Sequence, residues 1–222
     1  MKSVIIGAGT YGEVYLAYLQ EAGIEIVGFL DDSPKYEGKS VKEYPVLGKV
    51  EDLEHIGELQ GIEAVYCPLG NNKLRVAILE RSRMLGFKTP NYIHPSVKIA
   101  PNVKIADEGV YILQGSELMP YVTLEKDVMI SAGANIVHHS YLSQGTFVSN
   151  GVNFGANVHS EKYAYCGMGC TIMTGVHTLG EDCLIGAGAV VIRDVEPKAV
   201  MAGVPAKVIK YKDIPQSPLG ER

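Results

Sequence analysis

The sequence predicts two folds in one chain: an α/β unit of alternating strands and helices over residues 1–90, then an all-β parallel β-helix over residues 91–210, with residues 211–222 as a tail. Three observations predict this. A β-branched run at the N-terminus ends in a glycine-rich turn and opens a strand–helix alternation. From Ile93 onward, aliphatic residues recur every six positions. The residues between those aliphatics are small or turn-forming: Gly, Ala, Ser, Asn and Asp.

The first strand is Lys2 to Ile6, followed by Gly7-Ala8-Gly9-Thr10-Tyr11-Gly12. This GxGxxG turn leads into a helix from Glu13 to Ala22, carrying Val14, Leu16, Ala17 and Leu19, with Gly23 as its stop. A second strand, Ile24 to Leu30, ends at Asp31-Asp32. A later strand, Ala64 to Pro68, ends in Gly70-Asn71-Asn72, and a helix follows from Lys73 to Leu85. Repeated βα units build a parallel sheet, here Rossmann-like. Glycines let backbone N–H groups approach phosphates, a helix N-terminus favours negative charge, and a carboxylate accepts from a ribose hydroxyl. The same glycines also serve where a helix and a strand merely pack closely. Ninety residues hold about half of a full dinucleotide fold, so a mononucleotide or a nucleotide-linked group suits the unit better.

In the second region Ile93, Ile99 and Ile105 are six apart, as are Leu118, Leu124, Ile130, Ile136, Leu142, Val148 and Phe154, and then Leu179, Ile185 and Val191. A sustained period of six fits neither an amphipathic helix nor an open sheet. It fits a β-helix in which six residues make one short strand and a turn, three such units make a triangular coil, and each coil's core is covered by its neighbours. Five to six coils of about 18 residues follow. Breaks in the period place loops at Tyr111 to Leu118 and at Ser160 to Tyr165, and one extra residue near Val176-His177-Thr178.

Composition excludes several classes. A net charge of −5 gives no reason to expect nucleic acid or an anionic membrane as partner. No apolar run approaches the ~20 residues that span a bilayer, so no membrane insertion is expected. The N-terminus, MKSVIIGAGT, reads as a first strand and not as a signal peptide. Cys67, Cys166, Cys170 and Cys183 are scattered as reduced cytosolic packing residues. His159 and His177 lie along later coils without the spacing of ligands, so no metal is expected.

The adjacent pair His138-His139 stands out in a run of apolar and small residues. A neutral imidazole is suited to taking a proton from an attacking amine or hydroxyl at neutral pH. A histidine at a β-helix corner can equally do no more than hydrogen-bond a carbonyl.

Taken together, Gly7-Ala8-Gly9, Gly28-Phe29-Leu30-Asp31-Asp32, Tyr44-Pro45-Val46-Leu47-Gly48, Gly70-Asn71-Asn72 with Arg75, the repeats, Leu184-Ile185-Gly186-Ala187-Gly188-Ala189-Val190-Val191 and Ala202-Gly203-Val204-Pro205-Ala206-Lys207 carry a resemblance. The chain resembles the hexapeptide-repeat sugar acyltransferases with an N-terminal nucleotide-sugar-binding domain, of the sialic-acid, bacillosamine and perosamine type. That resemblance implies a left-handed parallel β-helix, a homotrimer, and acetyl-CoA as cosubstrate bound between adjacent β-helices. It implies acetyl-CoA contacts from Ala156, Gly167, Met168, Gly186, Ala187, Gly203, Val204, Pro205, Ala206 and Lys207. It places nucleotide-sugar contacts at Gly9, Thr10, Tyr11, Asp31, Asp32, Asn71 and Arg75. It makes His138 the general base. His139 stands where the family carries an acidic residue, Ser140 where it carries Cys, and Phe147 where a second His is common.

The implied function is cytoplasmic acetylation of an amine on a nucleotide-linked amino sugar used in bacterial surface glycans. Sugar O-acetylation is the alternative. A non-catalytic nucleotide-sugar-binding β-helix is a further one. Serine O-acetyltransferases carry a helical N-terminal domain, which the βα alternation here does not match.

Overall fold

The computed structural model describes residues 1–212. The N-terminal unit runs β1 (Ser3–Ile6), α1 (Thr10–Glu21), β2 (Ile26–Leu30), β3 (Ser40–Val41), β4 (Tyr44–Gly48), α2 (Leu53–Gln60), β5 (Ala64–Tyr66) and α3 (Asn72–Met84). The sheet order is β3-β4-β2-β1-β5, with β4, β2, β1 and β5 parallel and β3 closing an antiparallel hairpin on β4. The chain steps from β1 to β2 on one side and reaches β5 on the other, so β1 and β5 flank a topological switch point. Helix α1 starts at Thr10, three residues before the start set by its apolar pattern. The early start is possible because Gly12 lies against β1: a Cβ there would stand 1.9 Å from the Gly7 carbonyl oxygen. The hairpin and α2 have no counterpart in the elements predicted from sequence.

From Tyr92 the chain winds as a parallel β-helix with three faces. The first face stacks Lys98–Ile99, Glu117–Leu118, Asn135–Ile136, Asn153–Phe154, Thr171–Ile172 and Val190–Val191. The second stacks Lys104–Ile105, Thr123–Leu124, Tyr141–Leu142, His159–Ser160 and Thr178–Leu179. The third stacks Tyr92–Ile93, Tyr111–Ile112, Met129–Ile130, Phe147–Val148, Tyr165–Cys166 and Leu184–Ile185, then Ala199–Ala202 and the antiparallel Lys207–Tyr211. The second residue of each two-residue strand points inward, and together these residues form one continuous core. Tyr211 ends the last strand, and the rest of the predicted tail from residue 213 lies outside the described residues.

Two of the expected breaks are corrected. The six-residue period runs unbroken from Ile112 to Ile172, with Ser160 and Cys166 occupying inward positions. Ser160 is tolerated there because its Oγ is 2.9 Å from Thr146 Oγ1, so a buried hydroxyl has a partner. The first extra residue enters between Ile105 and Ile112, ahead of the expected place. The second, between Ile172 and Leu179, is where the sequence puts it.

The outward side of the third face is aromatic, and the N-terminal unit covers it. Tyr92, Tyr111, Met129 and Phe147 are buried with Tyr15, Phe29 and Tyr66 in one cluster spanning both units. Polar ties frame that cluster: Tyr111 Oη accepts from Cys67 N–H at 2.9 Å, and Tyr18 Oη donates to Gln114 Oε1 at 2.6 Å. Phe147, stacked on Tyr165 at 4.9 Å, is therefore a docking residue. Burial pushes the thiols of Cys67 and Cys183 up to about 12, as inert packing cysteines require. No helix of the described residues is long and apolar enough to cross a membrane.

Candidate active site

His138 and His139 sit at the corner between the first and second faces, and both are exposed. Coil stacking fixes what surrounds them. The residue that turns this corner has a positive φ in successive coils: Asn102 (64°), Tyr121 (67°), His139 (60°), Asn157 (57°) and Gly175 (103°). His139 thus turns the chain and stacks on Tyr121 one coil below, with ring centroids 4.7 Å apart. Its neighbour stands beside it: His138 Nδ1 and His139 Nδ1 are 3.0 Å apart, a hydrogen bond whose donor depends on the tautomer. Ser140 points inward, and its Oγ donates to the Gly155 carbonyl at 2.7 Å, so its hydroxyl is satisfied within the wall beneath the pair.

Among the residues expected to meet acetyl-CoA, the chain builds two groups. Ala156 lies one coil beyond His138 at the same corner, and its N–H donates to Thr174 Oγ1 at 3.2 Å. Gly167, Met168, Gly186 and Ala187 lie at the opposite edge of the first face, where it meets the third. The loop Gly203–Lys207 joins that second group: Val190 N–H donates to the Gly203 carbonyl and Ala206 N–H to the Val190 carbonyl. Val204 is exposed, as are Met168 and Lys207. One face of the β-helix therefore separates His138 and Ala156 from all the others. Gly167 also has a purely structural reason, since a Cβ there would stand 2.6 Å from the Ile185 carbonyl oxygen.

The expected nucleotide-sugar residues divide as well. Gly9 and Thr10 follow β1, Asp31 and Asp32 follow β2, and Asn71 follows β5, all at the carboxyl ends of parallel strands. Asp31 is tied to the glycine turn: Oδ2 accepts from Ala8 N–H at 2.7 Å and Oδ1 from Ser33 N–H at 2.8 Å. Asp32 Oδ1 accepts from Val50 N–H at 2.8 Å. Both aspartates line a cavity of about 370 Å³ with Pro34, Leu47 and Lys49. Asn71 caps α3 through Oδ1.

Two of these residues are engaged with the β-helix. Tyr11 Oη is 2.9 Å from Ser131 Oγ, which commits the hydroxyl to the β-helix. Arg75 is fully buried, and it donates to the carbonyls of Leu69, Asp127 and Gly145 and to Asn72 Oδ1. Burial lowers its pKa. Arg75 holds the two units together. Tyr121 and Thr174 were missed. Counting coils from His138 and His139 finds them, since each stands at a matching corner position in another coil. Among the described residues, no three His, Cys, Asp or Glu side chains gather as a metal site would.

Residues 2–82 match the family model of the PglD N-terminal domain. The acetyltransferase domain of PglB from Neisseria gonorrhoeae superposes with a TM-score of 0.85 at 28% identity, covering 94% of this chain and 99% of that one. GDP-perosamine N-acetyl transferase from Caulobacter crescentus, solved as a histidine-to-alanine variant with CoA and GDP-perosamine, gives a TM-score of 0.71 at 28% identity over 95% of this chain and 97% of that one. Galactoside O-acetyltransferase of Escherichia coli is 35% identical over 89 residues, 40% of each chain. The chain spans about two fifths of the length of the curated relatives it matches, 40 to 42% for three of them. A PglD-type unit docked on a β-helix of hexapeptide coils thus makes the chain similar, over 94–95% of its length, to acetyltransferases of solved structure.

Proposed function

We propose that this protein transfers the acetyl group of acetyl-CoA to an amine of a nucleotide-linked amino sugar, with His138 as general base. The observation that carries the proposal is the 3.0 Å Nδ1–Nδ1 hydrogen bond at an exposed corner. A base needs its lone pair on the outward nitrogen, so His138 carries its proton on Nδ1 and donates it to His139 Nδ1, leaving Nε2 free. His139 thus accepts where the resembled family has an acid. As Nε2 removes the amine proton, the amine nitrogen bonds to the acetyl carbon and the carbonyl electrons move onto oxygen. The intermediate collapses, the C–S bond breaks, and the departing CoA thiolate takes the proton from His138. The products are an amide and free CoA.

The separation of His138 from Gly203–Lys207 across one face supports a site shared by neighbouring copies in a homotrimer. The cavity beside Asp31 and Asp32 supports binding of the nucleotide by the N-terminal unit. Solved neighbours hold acetyl-CoA in one case and CoA with GDP-perosamine in another, which supports both substrates here. Acetyl-CoA and a nucleotide-linked sugar as substrates support a cytoplasmic reaction that feeds surface-glycan assembly. The partial identity to a galactoside O-acetyltransferase favours sugar O-acetylation as the second reading.

Incubation with acetyl-CoA and a panel of nucleotide-linked sugars, reading free CoA, tests the proposal. An amide product resists hydroxylamine and an ester product does not. Binding of a nucleotide-sugar with no CoA release across the panel overturns the enzyme in favour of a scaffold.

A further inference from the structure

The one-residue insertion between Ile172 and Leu179 reshapes a single corner, and that corner stands in line with His138. Gly175 takes a φ of 103° there, and Asp194 Oδ1 clamps the extra loop by accepting from His177 N–H at 2.6 Å and Thr178 N–H at 3.2 Å. The hydrogen bond from His177 N–H, with a second from Thr178, holds the Asp194 carboxyl below its usual range, as a carboxylate kept charged requires. The result is an exposed Thr174 whose Oγ1 accepts the Ala156 N–H at 3.2 Å. His138, Ala156 and Thr174 occupy the same corner position in three successive coils, so neighbours in this column are separated by the strand spacing of about 4.8 Å.

We infer that the Thr174 hydroxyl donates to the carbonyl oxygen of the acyl thioester and stabilises the oxyanion formed opposite His138. This rests on the acetyl-transfer reading above. A hydroxyl has one proton and two acceptor positions. Receiving the Ala156 N–H fills one acceptor position, orients the oxygen and polarises the O–H, whose proton is left to point away from the wall. A nucleophile within reach of Nε2 and a carbonyl carbon about 3–3.5 Å beyond it place the developing charge further up the column, on the side of Thr174. In the attack the carbonyl π electrons move to oxygen, and Thr174 keeps its own proton throughout. It donates a hydrogen bond and transfers nothing.

The test compares Thr174→Val and Thr174→Ser with the wild type in the CoA-release assay. Thr174→Val keeps the shape and removes the donor. The expected result is a kcat lower by about 10²–10³, the usual loss for one oxyanion donor, with the KM for acetyl-CoA within a few-fold and the thermal midpoint held. Thr174→Ser restores kcat to within a few-fold. A Thr174→Val enzyme turning over at the wild-type rate overturns the inference, because the hydroxyl then only caps Ala156. A rise in kcat also overturns it, showing that the freed Ala156 N–H is itself the donor. A wild-type protein that releases no CoA with any acceptor overturns the acetyl-transfer reading instead.

Discussion

His139 combines a backbone role with a chemical one. Its φ of 60° is a conformation that costs an ordinary L-residue about 1–2 kcal/mol, and its ring both stacks on Tyr121 and meets His138. The two roles separate by mutation. His138→Ala is expected to lower kcat by about 10²–10⁴, the usual worth of a general base, without loss of folding. His139→Gly keeps the corner and removes the ring, both the acceptor and the stack on Tyr121, so kcat should fall roughly tenfold, the equivalent of one neutral hydrogen bond. Near-normal turnover of His138→Ala would remove it as the base. Arg75 gives the contrasting case. Its place beside Gly70-Asn71-Asn72 suggests a ligand contact, but sequence carries no record of burial, and the guanidinium is enclosed by carbonyls of both units. Arg75→Met should destabilise the protein by about 2–4 kcal/mol in denaturant melts, by leaving buried acceptors unpaired, and leave the KM for a nucleotide-sugar unchanged in whatever folds. The histidine pair was visible in the sequence as two imidazoles in a row of small residues. Tyr121 and Thr174 were not, because their meaning depends on which coil they stack against.

At the scale of the coil, the period of six was visible in the aliphatics, and its interruptions were less so. Ser160 and Cys166 look like a break only if inward positions must be aliphatic; the turn geometry sets the period, and a paired hydroxyl or a thiol fills an inward site equally well. The β3–β4 hairpin and α2 escaped for a different reason. α2 has eight residues and buries Leu53 and Gly57, too little for an apolar face to show a helical repeat. Glycines at coil corners test whether a residue serves the fold or a ligand. At Gly167 an added Cβ meets the backbone of the next coil at Ile185 and Ala187, where no flexible side chain can yield. Gly167→Ala is therefore expected to lower the thermal midpoint by several degrees, about 1–3 kcal/mol for an overpacked site. An unchanged midpoint with a raised KM for acetyl-CoA would assign this glycine to the cosubstrate instead.

For the whole molecule, the division of the expected site between the two edges of one face is what gives the proposed homotrimer a chemical purpose. A mass of three chains by light scattering is expected in solution, and a monomer that is stable and active would contradict a shared site. Within each copy the two units are locked by the pair of half-buried Arg83 and buried Asp127, with N–O distances of 2.9 Å, alongside Arg75 and the aromatic face. That covered face also bears on how the chain is made. A row of Tyr92, Tyr111, Met129 and Phe147 left open to water would be adhesive toward any other apolar surface nearby. The unit that covers it lies earlier in the chain, and on a ribosome adding about 5–20 residues per second it is already synthesised when Tyr92 emerges. Each new coil then adds one more rung to a wall whose cover is waiting. The order of the two units along the chain is thus itself a guard against aggregation during synthesis, a protection that exchanging their positions would remove.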